Sequence, residues 1–173
     1  MRDKLRKRYQ IQKEVTQNGR FSGEISLTEL KRLQELLGLE DTGQYQQKIA
    51  LSFEFLRSEF DIPVLKGHFQ TRLTLECQRC LQPMEFPLEQ DFSLLIDASD
   101  EIVQHSSQDT LYSDDGWIDI VEVVEDELIL AIPLVAMHEN RDCNSNWQAS
   151  SAAVETPRAD NPFAVLQQLK TTD

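Results

Sequence analysis

Apolar residues fall on every second position in three stretches of the chain. Ile49, Leu51, Phe53 and Phe55 alternate with polar or small residues. Phe69, Leu73, Leu75 and Cys77 do the same with Thr71 interrupting, and Phe86, Leu88, Phe92, Leu94 and Ile96 share one parity. A period of two puts such side chains on one face of a strand. Pro63 and Gly67 bound a short break between the first two stretches, and Pro87 stands at the entrance of the third. Three strands with short links predict a mostly antiparallel sheet with one wet face.

The flanking segments change period. Tyr9, Ile11 and Val15 predict an extended piece, Asn18-Gly19 a turn, and Phe21, Ile25 and Leu27 a short strand. From Thr28, Leu30, Leu33, Leu36 and Leu37 recur at helical spacing until Gly38, a fitting stop. Residues 97–116 are rich in Ser and Asp and predict a long loop, mobile or used for binding, with Ile102, Val103, Leu111 and Tyr112 as anchors. Beyond Trp117 comes the clearest helix. Asp119 caps it with Glu122 three residues on, as in a capping box. Val121, Val124 and Leu128 recur along one side, Val123 and Leu130 widen that side, and Pro133 ends the helix. Glu122, Glu125 and Asp126 are expected to face water. Glu125, Asp126 and Glu127 are consecutive, so on a helix they point in different directions and do not form a catalytic acid cluster.

Residues 144–160 read as a polar linker with Trp147 as a docking anchor. Asn161 and Pro162 then open a short amphipathic helix carrying Phe163 and Leu166. A helix this short is marginal alone in water, so it is expected to dock on its own domain or a partner. The expected fold class is α+β, a mostly antiparallel sheet with packed helices and a flexible C-terminal tail. Residues 1–143 form the domain, and residues 144–173 the linker and terminal helix.

Charge is segregated. Residues 1–80 hold 14 Lys and Arg against 11 Asp and Glu, residues 81–140 hold none against 15, and residues 141–173 hold 3 against 4, which gives the net −13. Arg2, Lys4, Arg6, Lys7 and Arg8 make a basic arm suited to phosphate. The middle of the chain repels nucleic acid and suits a basic protein, with Glu122, Glu125 and Asp126 as contacts. The three cysteines cannot all pair internally and no apolar signal segment precedes them, so a reducing cytoplasmic setting without a membrane span is expected.

Two of the cysteines, Cys77 and Cys80, stand at C-x2-C spacing where the second strand ends. Such a pair can share a metal, form a redox couple or pack. Redox use is the weaker reading, since Arg79 is the only cation between the thiols. His138 and Cys143, on either side of a polar turn, complete a Cys3His set of the kind that holds structural zinc. His105 reads as a surface histidine.

Three stretches together resemble the bacterial YceD family of large ribosomal RNA subunit accumulation proteins. They are Leu75-Glu76-Cys77-Gln78-Arg79-Cys80; Val124-Glu125-Asp126-Glu127-Leu128-Ile129-Leu130-Ala131-Ile132-Pro133 with His138 and Cys143 after it; and Asn161-Pro162-Phe163-Ala164-Val165-Leu166. The resemblance extends more loosely to the segment FSGEISLTELKRL. It implies a cytoplasmic factor needed for accumulation of 23S rRNA, with genes often beside that of a large-subunit ribosomal protein, and it carries over no catalytic residue. Some members have a richer second cysteine cluster; this chain keeps Cys143 there, leaving Cys3His or no metal.

The leading expectation is therefore a non-enzymatic accessory factor for 23S rRNA accumulation and large-subunit biogenesis. Its expected partners are a large-subunit ribosomal protein or assembly factor and the 23S rRNA precursor, without DNA or membrane. One alternative is a metal-dependent nuclease on precursor rRNA, for which Asp114, Asp115 and Asp119 with His105 are the available groups. Another is a zinc-stabilised structural adaptor built on Cys77, Cys80, His138 and Cys143.

Overall fold

The computed structural model describes residues 5–39, 47–97, 109–140 and 142–143. The chain divides into two units, Met1–Asn140 and Arg141–Asp173, and every element described below belongs to the first.

In chain order the elements are β1 (Arg8–Gln10), α1 (Ile11–Gln17), β2 (Arg20–Ser26), a 3-10 turn (Leu27–Glu29), α2 (Lys31–Leu36), β3 (Lys48–Arg57), β4 (Pro63–Glu76), β5 (Pro83–Asp97), β6 (Thr110–Tyr112), β7 (Trp117–Asp119) and α3 (Ile120–Ala131). Strands β2-β3-β4-β5-β6 form one sheet, antiparallel except for the parallel β5–β6 pair, and β1 pairs with β7 in a small second sheet. The fold is α+β, as the alternation predicts. Its longest feature is the β4–β5 hairpin, in register from Val64↔Leu95 to Glu76↔Pro83.

The predicted inward residues of β3, Ile49, Leu51, Phe53 and Phe55, are buried, as are Phe69, Leu73 and Leu75 of β4. They join Tyr9, Leu30, Leu33, Val124 and Leu128 in one core. At its centre Tyr9 packs on Phe21 at 4.6 Å between ring centroids, on Phe53 at 5.2 Å edge-on and on Phe55 at 5.9 Å. Contacts of this kind contribute about 0.5–1.5 kcal/mol each beyond simple burial. The Tyr9 hydroxyl accepts the Arg6 backbone N–H at 2.8 Å, so the ring is buried without leaving its oxygen unpaired. Thr71, the residue that interrupts the β4 alternation, is also buried; its hydroxyl donates to the Lys48 carbonyl.

Four sequence expectations change. The piece beginning at Ile11 is helical: Ile11 and Val15, one turn apart, are both buried, and Asn18 closes α1 in the left-handed region at φ 47°. Gly67 lies inside β4 and marks no break. Phe92 stands over it from β5, and a side chain at 67 would run into that ring. Pro87 is within β5, opposite Arg72; β6 pairs only with Leu95, Ile96 and Asp97, so at Pro87 the strand is an edge and needs no second N–H partner. Glu125 does not face water. Its carboxylate is buried, accepting the backbone N–H of Leu33 at 3.2 Å and the Arg32 Nε at 2.9 Å. It thus caps the first turn of α2 from α3.

Candidate metal centre

Strand β4 ends at Glu76, and the chain turns through residues 77–82 before β5 begins. The Leu81 N–H donates to the Cys77 carbonyl at 2.8 Å and the Cys77 N–H to the Gln82 carbonyl at 3.0 Å; Leu81 takes φ 58° to close the turn. This tight knuckle brings Cys80 back beside Cys77. The segment after α3 runs alongside, stitched to it by the Gln78 N–H on the Ala136 carbonyl at 2.9 Å and the Gln78 amide on the Leu134 carbonyl at 3.0 Å. Arg79 adds a bond to the Asn140 carbonyl at 3.0 Å. Pro133 follows the last residue of the α3 cap, Ile132, and directs the chain back toward the knuckle.

That return delivers His138. Its backbone N–H donates to the Cys77 sulfur at 3.4 Å, and its Nδ1 lies 3.4 Å from the Cys80 sulfur. The ligand atoms of Cys77, Cys80, His138 and Cys143 all lie within 4.8 Å of one another. A tetrahedral zinc with bonds of about 2.3 Å to sulfur separates its ligands by roughly 3.8 Å, so no pair of these atoms exceeds that spacing by more than about 1 Å. The thiol chemistry agrees. Burial pushes the Cys77 thiol up, but the backbone N–H groups of His138, Cys80 and Arg79, joined by the Cys80 thiol, outweigh it and bring the group down to about 5. A thiolate solvated by peptide N–H groups is the form that ligates a metal. All three cysteines are free of disulfide. Cys77 is fully buried, while Cys80, His138 and Cys143 are partly exposed. Among the described residues this is the one cluster of three or more metal-ligating side chains.

Among the described residues, the nuclease candidates Asp115 and Asp119 are taken up in local structure. Asp119 caps α3, accepting the Val121 N–H at 2.9 Å. Asp115 accepts the Trp117 N–H at 2.8 Å and pairs with Arg8 at 2.6 Å. The Trp117 N–H, and then Arg8, hold its carboxyl below the usual carboxylate range. His105 lies outside the described residues. In the basic arm, Arg2 and Lys4 are likewise outside. Arg6 pairs with buried Glu14 at 3.0 Å, Lys7 with Glu29 at 3.4 Å and Arg8 with Asp115, so these three cations are already engaged within the chain. Glu122 and Asp126 are exposed, with Asp126 paired to Arg32 at 2.7 Å, and Phe163 and Leu166 fall outside the described residues.

Sequence reasoning missed the surface beside the knuckle. Leu134 is 96% exposed, Leu130 77%, Leu81 66% and Val135 54%. The apolar run that begins in α3 continues past the helix end at Ala131, where Leu134 and Val135 lie exposed.

The sequence profile described as large ribosomal RNA subunit accumulation protein YceD matches residues 65–170. A protein of Haemophilus influenzae named large ribosomal RNA subunit accumulation protein YceD is 39% identical over 114 residues, covering 62% of this chain and 65% of its own length. The chain therefore spans just under two thirds of that relative. No solved structure matches.

Proposed function

Because the chain belongs to the family described as large ribosomal RNA subunit accumulation protein YceD, we propose that it is a non-enzymatic accessory factor for 23S rRNA accumulation and large-subunit biogenesis, working in the cytoplasm. The family match carries this reading. It covers the β4–β5 hairpin, the knuckle and α3, the same parts that hold the thiol and imidazole groups together. Charge favours a protein partner over RNA at this end of the molecule: residues 81–140 contain no Lys or Arg, and the three described cations of the N-terminal segment are paired internally. Binding to phosphate draws its affinity from several available cations. A basic large-subunit ribosomal protein or assembly factor is the better complement. Among the described residues no helix is long and apolar enough to cross a membrane.

The test is affinity purification of tagged protein from growing cells with and without ribonuclease. Retention of a large-subunit protein after ribonuclease supports the reading. Pre-23S rRNA as the sole crosslinked species, with every protein lost on ribonuclease, overturns the protein-partner reading.

The closeness of the four ligand atoms favours a second, compatible reading, in which zinc held by Cys77, Cys80, His138 and Cys143 stabilises the fold. The metal would tie the knuckle to the chain returning from α3, a structural role without turnover. The native protein is expected to carry about one equivalent of zinc by elemental analysis, lost in Cys77→Ser, and to melt lower in a chelator. Zinc-free native protein whose melting is unmoved by chelation rejects this reading.

A further inference from the structure

We propose that the exposed apolar surface beside the knuckle, made by Leu81, Leu130, Leu134, Val135 and Met137, is where a basic protein segment with an apolar anchor docks. The inference rests on the accessory-factor reading above and names the surface and the chemistry of the partner.

Three observations carry it. First, the fold brings the segment carrying these residues onto the knuckle: the Gln78 side chain holds the Leu134 carbonyl, the Gln78 N–H holds that of Ala136, and the Arg79 guanidinium lies 3.5 Å from the Met137 sulfur. Leu134 to Met137 therefore lie along the same knuckle that bears Leu81. A leucine 96% exposed, with four more large apolar side chains close by in the chain or the fold, is a grouping that soluble surfaces disfavour unless something covers it. Second, the patch is held in place. Its backbone is bonded to the knuckle at residues 134, 136 and 140, so the apolar side chains are presented in fixed positions and docking costs little ordering.

Third, the surrounding charge selects the occupant. Glu127 and Asp126 precede Leu130 by three and four residues, one helical turn, and Glu139 is exposed two residues beyond Met137. Burial first, and then Asp109 and Asp126 nearby, push the Glu127 carboxyl up, and Arg32, the cation on this face of α3, is paired with Glu125 and Asp126. Among the described residues of the knuckle, 77–82, Arg79 is the cation, and it is turned onto Asn140 and Met137. Nucleic acid and anionic lipid are repelled here, and a second copy of the chain would bring the same acidic residues against themselves. A cationic protein segment gains both burial and charge complementarity.

The experiment uses the full chain, immobilised, with the RNA-free total proteins of purified large ribosomal subunits as the probe. Wild type is compared with Leu134→Ser/Val135→Ser and with Phe60→Ser, which removes an equally exposed side chain at the β3–β4 turn. The expected result is one basic large-subunit protein retained by wild type and by Phe60→Ser, and retained at least tenfold less by the double variant with an unchanged melting temperature. Equal retention by the double variant overturns the docking surface and leaves the accessory-factor reading standing. No ribosomal protein retained by wild type overturns the protein-partner reading, and the surface with it. A wild-type dimer in sedimentation that the double variant abolishes assigns the patch to a second copy and also overturns the proposal.

Discussion

The two ends of the β4–β5 hairpin are held by different physics. At one end Val64, Leu65, Leu94, Leu95 and Ile96 are buried, and the aromatic cluster of Tyr9, Phe21, Phe53 and Phe55 fills the core. At the other end, past Leu75, Cys77 is buried between the polar Glu76 and Gln78, and the chain returning from α3 is attached by a few hydrogen bonds and by sulfur and imidazole groups. Apolar burial is indifferent to metal and scales with area. Thiolate and peptide contacts are specific, few, and responsive to whatever occupies them. The first end specifies the fold; the second leaves apolar side chains exposed and is where the proposed partner and ion would act.

The sharpest way to break this comparison is to damage each end and ask which loss is global. Phe55→Ala removes a fully buried ring in contact with three others. It is expected to cost about 3–5 kcal/mol in denaturant unfolding, with or without chelator. Removing the proposed zinc should cost less: with free zinc at about a hundred times its dissociation constant, linkage would contribute about 2.7 kcal/mol. Chelation and Cys77→Ser are also expected to speed amide exchange around residues 77–82 and 134–140 well before the aromatic core opens. Uniform exchange changes across the sheet would show that the two ends are one cooperative unit.

What could be read from the sequence follows the same division. Strands with a period of two announce themselves, so Ile49 to Phe55 and Phe69 to Cys77 were legible, and paired C-x2-C thiols with a later His and Cys suggested their own assembly. Features whose cause lies far along the chain were not. Gly67 reads as a break until Phe92 is seen above it, and Glu125 reads as a surface acid until Leu33 and Arg32, from an element 92 and 93 residues earlier, are seen to meet its carboxylate. Leu130, read as widening the apolar side of α3, was misread for the opposite reason: it lies exposed. Nothing local distinguishes an apolar residue that is buried from one left for a partner.

Glu125 joins α2 to α3 and offers an intermediate test. Glu125→Ala leaves the buried Leu33 N–H without its acceptor and frees Arg32. The expected loss is about 1–2 kcal/mol, below that of Phe55→Ala because Arg32 is half exposed and screened. Glu125→Gln keeps an acceptor for Leu33 and should recover part of it. Equal losses in the two variants would assign the effect to charge and not to capping.

The smallest effect is expected at the surface, where Arg8 stacks 5.5 Å from the Trp117 ring and pairs with Asp115. Asp115 is held below the usual carboxylate range first by the Trp117 N–H and then by Arg8. A group depressed in the folded state stabilises it above its unfolded pKa, and that contribution is lost as the pH falls through the folded value. In Arg8→Ala the carboxyl should therefore titrate higher than in wild type yet stay below its ordinary value, because the Trp117 N–H remains. Carbon-detected NMR of the Asp115 carboxyl reads this directly, and zinc content should not change. A shift all the way to the ordinary value would make Arg8 the dominant partner and show that the β1–β7 pairing depends on the ion pair. A partial shift, with melting near neutral pH almost unmoved, leaves the N-terminal side held by the burial of Tyr9 and Ile118, with its surface charges adding little.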